Sequence, residues 1–282
     1  MKSELYPLVF EPDIHPTRWG VERWLVSAHE FAPSVIANGP LRGNSLREVM
    51  PDLKVLVKVL DVKHRLSLQV HPNESNAAAT GGEPKTELWH VLQSEKGASI
   101  IAGFRARVNE SKLLRALATE TVEKIVRSHR VAAGETCFIP GGLVHALGGG
   151  LKVFEVQQSS NSTYRLYDWG LVGADGRPRP LHVAESLKTL DYSLELGRVE
   201  NGAFECPAFA FREFPHSESG AFEPIARHRI YFVKGGTFVI ESPRLDRSFV
   251  LVHDSAFLLP AGIGATYSSI RGAGELIEVT AP

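Results

Sequence analysis

Cysteine is scarce: the 282-residue chain has only Cys137 and Cys206, with no CxxC or ladder spacing. A disulfide scaffold is unnecessary at this length, and the pair reads as buried thiols of a reducing cytoplasm. An excess of charge is also missing. Thirty-one Lys and Arg against 32 Asp and Glu leave −1, so no global field draws in nucleic acid or an anionic membrane. Long apolar runs are absent too. Stretches such as 54–62 fall far short of the roughly 20 residues a membrane helix needs. Residues 1–12 show no basic segment followed by an apolar core, so no secretory signal is expected and the expected location is the cytoplasm. Helical periodicity is confined to 109–118 and 183–190, and no phosphate-binding GxxxxGK[ST] pattern occurs.

What the chain does have is short apolar stretches punctuated by Gly, Pro, Asn and Asp. They fall at 55–60, 66–71, 87–93, 98–102, 136–139, 152–157, 230–233, 237–241, 249–253, 256–259 and 275–280. Such spacing predicts an all-β sandwich or barrel. At 43% hydrophobic and 22% charged residues, the composition is that of an ordinary folded domain. A weak repeat divides it. Gly134-Glu-Thr-Cys-Phe-Ile-Pro140-Gly-Gly142 echoes Asp254-Ser-Ala-Phe-Leu-Leu-Pro260-Ala-Gly262, and Trp89-His-Val-Leu echoes Tyr231-Phe-Val-Lys. Two β-lobes are expected, 1–193 and 194–282, joined by the charged stretch 194–207. The repeat is chemically unequal: His145 corresponds to Ala265 and Glu87 to Arg229. The first lobe therefore carries the polar site and the second reads as packing.

Within 66–71, the two-residue period of a strand places Ser67, Gln69 and His71 on one face, with Leu66, Leu68 and Val70 on the other. A polar face turned into a barrel needs partners, because each unpaired buried group costs roughly 1–3 kcal/mol. Glu87 follows sixteen residues after His71, and His145 comes just after the Pro140-Gly-Gly turn. Two imidazoles, a carboxylate and a carboxamide form a donor set suited to Zn²⁺, with Fe²⁺, Mn²⁺ and Co²⁺ also admissible. Val153, Glu155 and Gln157 share another strand face, so Glu155 can point inward as a base. Gly141, Gly142 and Gly148 to Gly150 read as turn glycines with positive φ. His90 falls off the Glu87 face and reads as structural.

Here the chain resembles a family. Gly134-(x5)-Pro140-x-Gly142-(x2)-His145 is similar to the second cupin motif. Gln69-x-His71-Pro72 with Lys85-Thr-Glu87 resembles the first motif of type I phosphomannose isomerases. The stretch from Glu155 through Arg165 to Asp168, then Gly176 to His182, and 24–39 near the start, look like the short bacterial members. The resemblance is strong over about 19–190 and weak beyond. It implies two cupin-like jelly-roll lobes and one Zn²⁺ per chain on Gln69, His71, Glu87 and His145. It implies Arg165 as the catalytic arginine, Glu155 and Lys85 as further catalytic positions, and Ser67 as a contact to the substrate phosphate.

The activity so implied is interconversion of mannose 6-phosphate and fructose 6-phosphate through an enediol(ate), by a monomer or homodimer. One position departs from the pattern. Similar members carry a basic residue six positions after the arginine, where this chain has Leu171. Arg177, Arg179 or His182 in the following loop are the expected substitutes. Two alternatives stand beside this reading: an Fe(II) cupin oxygenase, and a non-catalytic sugar-phosphate-binding cupin. No stretch is long enough for the helical insertion of larger family members.

Overall fold

The strand Val55–Val62 is buried along nearly its whole length, and the reason sets the architecture. In the computed structural model, which describes residues 4–172, 176–270 and 273–282 and only the backbone of 215–217, this strand lies inside a seven-stranded sheet covered on both faces. Val55, Val57 and Val59 pack against Phe209, Phe211, Ile230, Phe232 and Ile277 of a six-stranded sheet. Leu60 and Val62 face the other way, into a core shared with Ile100, Ala102 and Leu147 of a five-stranded sheet. Burial on both sides replaces the usual polar–apolar alternation with a continuous apolar run. A four-stranded sheet closes the far side, over Tyr231, Phe238, Phe257 and Tyr267. Four sheets thus stack as two β-lobes, as the sequence leads one to expect.

Strand pairing crosses residue 194 in both directions. Leu8–Val9 pairs with Ala256–Leu259 in the six-stranded sheet, and Gly197–Val199 pairs with Thr136–Ile139 in the seven-stranded one. The stretch 194–207, expected as a joining segment, holds two strands, Gly197–Val199 and Ala203–Cys206, each at a sheet edge. Their alternation is short and half-exposed, which leaves little pattern to read. The two expected helices are present. Glu110–Ala118 is capped by Asn109, whose side chain accepts from the Lys112 amide, and it props Leu113 and Ala116 against Ile101, Phe104 and Ala146. Val183–Thr189 follows His182.

The repeat extends to strand register. Glu155 lies opposite Lys58 on one side and Trp89 on the other. Glu278 lies opposite Arg212 and Tyr231 in the same manner. In the first lobe the Trp89 indole donates to Glu155 at 2.8 Å. In the second, the Tyr231 hydroxyl donates to Glu278 at 2.6 Å. There the interior is filled with rings: Phe222 stacks 4.0 Å from Tyr231 and 4.6 Å from Tyr267.

Candidate metal centre

The strand Leu68–Val70 buries Leu68 and Val70 on one side and turns Gln69 to the other. It lies between His145–Leu147 and Tyr164–Tyr167, so Gln69 sits opposite both His145 and Arg165. Pro72 ends the strand, and the chain is tied there to both other segments of the site. The His71 carbonyl accepts from the Gly142 amide, and the Pro72 carbonyl from the Lys85 amide, each at 2.8 Å. Gly142 holds φ +97°, while Gly141 is needed for close approach, since a Cβ there would meet the Pro72 carbonyl at 2.7 Å. Of the five glycines expected at positive φ, only Gly142 and Gly150 adopt it. Gly141, Gly148 and Gly149 are instead required by backbones passing close by.

These constraints bring His71, Glu87 and His145 together, all buried, with one ligand atom from each within 4.8 Å of the others. Nε2 of His71 lies 3.1 Å from Nε2 of His145. It lies 3.2 Å from Oε1 of Glu87, and His145 Nε2 lies 3.8 Å from Oε2. Each Nδ1 is 2.8 Å from a backbone carbonyl, Ser162 for His71 and Leu143 for His145. A carbonyl only accepts, so both Nδ1 atoms carry the proton. Burial first, then neighbouring positive charge, holds His145 at about 3 and His71 below the usual histidine range. Both rings are therefore neutral near pH 7, and two Nε2 lone pairs face each other. Glu87 Oε2 is buried with no hydrogen-bond partner. Facing lone pairs and an orphaned carboxylate oxygen fit a divalent cation, and the carbonyls behind the rings fix their orientation as outer-shell partners do. The Gln69 amide nitrogen lies 3.3 Å from His145 Nε2, and a half-turn of the carboxamide brings its oxygen to the same point as a donor.

Around this cluster opens a cavity of about 580 Å³ bordered by Ser67, Gln69, Lys85, Glu87, Glu155 and Arg165. That is an ordinary size for a small-molecule site. The Lys85 ammonium lies 2.7 Å from Glu87. Burial pushes the Glu87 carboxyl up, but Lys85 and the histidines prevail and hold it well below the usual range. Glu155 is moved the opposite way. Burial and the nearby Glu87 charge raise it to about 7, against the pull of Lys58 and Lys85.

Arg179 borders the cavity and pairs with Asp168 through both guanidinium ends, at 2.8 and 2.5 Å. Arg165 donates to the Pro180 carbonyl at 2.9 Å, and its buried Nε has no partner. Arg177 is exposed and does not border the cavity, and Leu171, 46% exposed, does not either. His90 faces the second lobe, between Thr136 and Glu213.

Among the cavity residues that escape a reading of the sequence are Arg18, Glu22, Lys58 and Trp89. Lys58 lies 3.7 Å from Glu155, 3.2 Å from Glu22, and 4.4 Å above the Trp24 ring. A single lysine amid Val55-Leu-Val and Val59-Leu was the available signal, since a buried ammonium needs a carboxylate partner.

Comparison with known proteins places this arrangement among relatives. Residues 6–87 match the family described as phosphomannose isomerase type I, catalytic domain. The chain is 33% identical over 214 residues to the mannose-6-phosphate isomerase of Streptococcus mutans, covering 65% of this chain and 67% of that one. It is 32% identical over 215 residues to a mannose-6-phosphate isomerase of Bacillus subtilis, covering 66% and 68%. The crystal structure of mannose 6-phosphate isomerase from Bacillus subtilis superposes over 98% of this chain and 99% of that one, with TM-score 0.81 and 26% identity.

Proposed function

We propose, since this chain belongs to the type I phosphomannose isomerase family, that it interconverts mannose 6-phosphate and fructose 6-phosphate with a zinc ion held by Gln69, His71, Glu87 and His145. The observation that carries this reading is the convergence of two neutral, facing Nε2 atoms on an unpartnered carboxylate oxygen of Glu87, a residue that borders a polar cavity. Nitrogen and carboxylate donors in that number favour zinc. Bound there, the metal supplies Lewis-acid polarisation of a substrate oxygen.

The chain's own residues supply the rest. Glu155 is the base: its carboxylate borders the cavity, is oriented by the Trp89 indole, and sits near pH 7, where a general base works best. It takes the C2 proton of the open-chain aldose and returns it to C1, while the hydroxyl proton passes from O2 to O1. Lys85, beside Glu87, is placed to carry that hydroxyl proton. Arg165 faces the negative charge that grows on oxygen in the enediolate, a contribution worth several kcal/mol from a preorganised donor. Ser67 and Arg179, which border the same cavity, serve the substrate phosphate.

The test is a coupled assay of mannose 6-phosphate conversion on the protein as purified, after chelation, and after zinc is restored. Turnover lost with chelator and regained with zinc is the expected result. Folded, zinc-loaded protein inert towards both mannose 6-phosphate and mannose would overturn the proposal.

A further inference from the structure

The rim of the cavity holds more positive charge than the protein itself balances. Arg18, Arg165 and Arg179 border the same space, and the carboxylate that pairs among them is Asp168, which Arg179 occupies at both ends. Counting the three arginines and Asp168, the rim carries two positive charges. Deeper in, three carboxylates, Glu22, Glu87 and Glu155, face Lys58 and Lys85, so the cationic excess is local to the rim. A phosphomonoester carries about −1.5 to −2 near neutral pH, so its charge matches the excess.

Arg18 is distinguished from the other two. Among the described residues it forms no hydrogen bond or ion pair, and it is exposed beside the cavity. It lies close enough that its charge, with that of Arg179, weighs on the Arg165 guanidinium. Its backbone is nevertheless fixed. The Thr17 amide donates to the Gly20 carbonyl at 2.9 Å, and the Gly20 amide donates to Thr17 Oγ1 at 3.1 Å. The Trp19 carbonyl accepts from the amides of Lys63 and His64 at 2.8 Å each, and the Trp19 ring is buried. A rigid turn presenting an unengaged guanidinium to a cationic rim is an anion contact that loses only side-chain freedom on binding. Position 171, by contrast, holds a leucine outside the cavity.

We propose that Arg18 binds the phosphate group of the substrate in this chain, from the turn between Asp13–Pro16 and Gly20–Val26, so that no cation is needed at position 171. This rests on the sugar-phosphate reading above, and names the residue that confers preference for a phosphorylated sugar.

The experiment measures mannose 6-phosphate and mannose binding by calorimetry on zinc-loaded protein, alongside turnover, for the parent, Arg18→Ala, Arg18→Lys and Arg18→Ala/Leu171→Lys. Charge-assisted contacts to phosphate are about twice as strong as neutral ones. Arg18→Ala is therefore expected to lower the affinity ratio of phosphorylated to plain sugar by about tenfold to a hundredfold, with the kinetic loss in KM rather than kcat. Arg18→Lys should recover part of the ratio, because the charge remains without the fork. An Arg18→Ala ratio within twofold of the parent overturns the proposal and leaves the isomerase reading intact. A parent that binds mannose 6-phosphate through Arg18 without converting it retires the isomerase reading and keeps Arg18. A parent that binds no sugar phosphate retires both.

Discussion

Replacing Lys58 by Met removes one buried ammonium while keeping most of the stem volume, and the structure fixes what should follow. Lys58 Nζ lies 3.7 Å from Glu155. Two unit charges at that separation interact by about 4 kcal/mol at an effective permittivity near 20, which corresponds to roughly 3 units of pKa. Part of this is returned, because Glu22 also loses its partner at 3.2 Å and protonates more readily, relieving its own repulsion of Glu155. The pKa of Glu155 is expected to rise by about 2 above its value in the parent. Since a base must be ionised to act, kcat/KM rises with pH up to the pKa of Glu155 and is level above it. At a pH equal to the parent's pKa the ionised fraction should fall from about half to about one per cent, a loss of roughly fiftyfold that higher pH restores. The assay is the pH profile of kcat/KM on zinc-loaded protein, with bound zinc quantified in each variant. An acid limb that does not move upward from the parent's, or a loss equal at every pH, would refute the coupling of Lys58 to a Glu155 base.

Other outcomes follow from the same geometry. Glu155→Gln should bind sugar phosphate but lose exchange of the C1 and C2 protons with deuterated solvent by about 10²- to 10⁴-fold, and normal exchange would remove it from the role of base. His71→Ala leaves Gln69, Glu87 and His145 without the fourth donor, so zinc affinity measured by competition with a chromophoric chelator should collapse, and the midpoint gained on adding zinc should disappear. Buried His90, held at about 4 chiefly by burial, stays neutral in the folded protein while the unfolded chain protonates below about 6.5. Folding stability should therefore fall as pH drops from about 6.5 to 4, by about 2–3 kcal/mol, and urea titrations of His90→Gln should show a flatter profile. Phe232→Ala at the sheet-to-sheet contact with Phe154, 4.7 Å between ring centres, should cost about 3–5 kcal/mol by calorimetry or denaturant.

Much of the site is legible from local rules. Simple alternation groups Ser67, Gln69 and His71, although the strand itself is only Leu68–Val70, and Pro140-x-Gly142 marks the turn that delivers His145. Lys58 is less legible because its strand is buried on both sides, so its sequence does not say which side chains meet the cavity and which meet the second lobe. Glu22 and Trp89 become site residues only through the lateral pairing of Gly20–Val26 with Val55–Val62 and of Glu87–Ser94 with Leu151–Gln158. Arg18 sits in a turn whose place at the rim depends on distant hydrogen bonds from Lys63 and His64. Such non-local placement leaves no periodic trace. The short edge strands at 197–199 and 203–206 were hidden for the converse reason, half-exposed and too brief for alternation to show.

The sheet that carries Lys58, Trp89 and Glu155 on one side carries Val57, Leu88 and Phe154 on the other, sealed by Phe211, Phe232 and Val279. Asp254 reaches across the same boundary to Arg23 and Lys152, on the strands that hold Glu22 and Glu155. The second lobe, which holds none of the four proposed zinc ligands, is thus the back plate against which the reacting wall is mounted. An attempt to trim the enzyme to the half with the candidate metal centre would bare this apolar face to water, so the smallest working unit of this architecture is the pair.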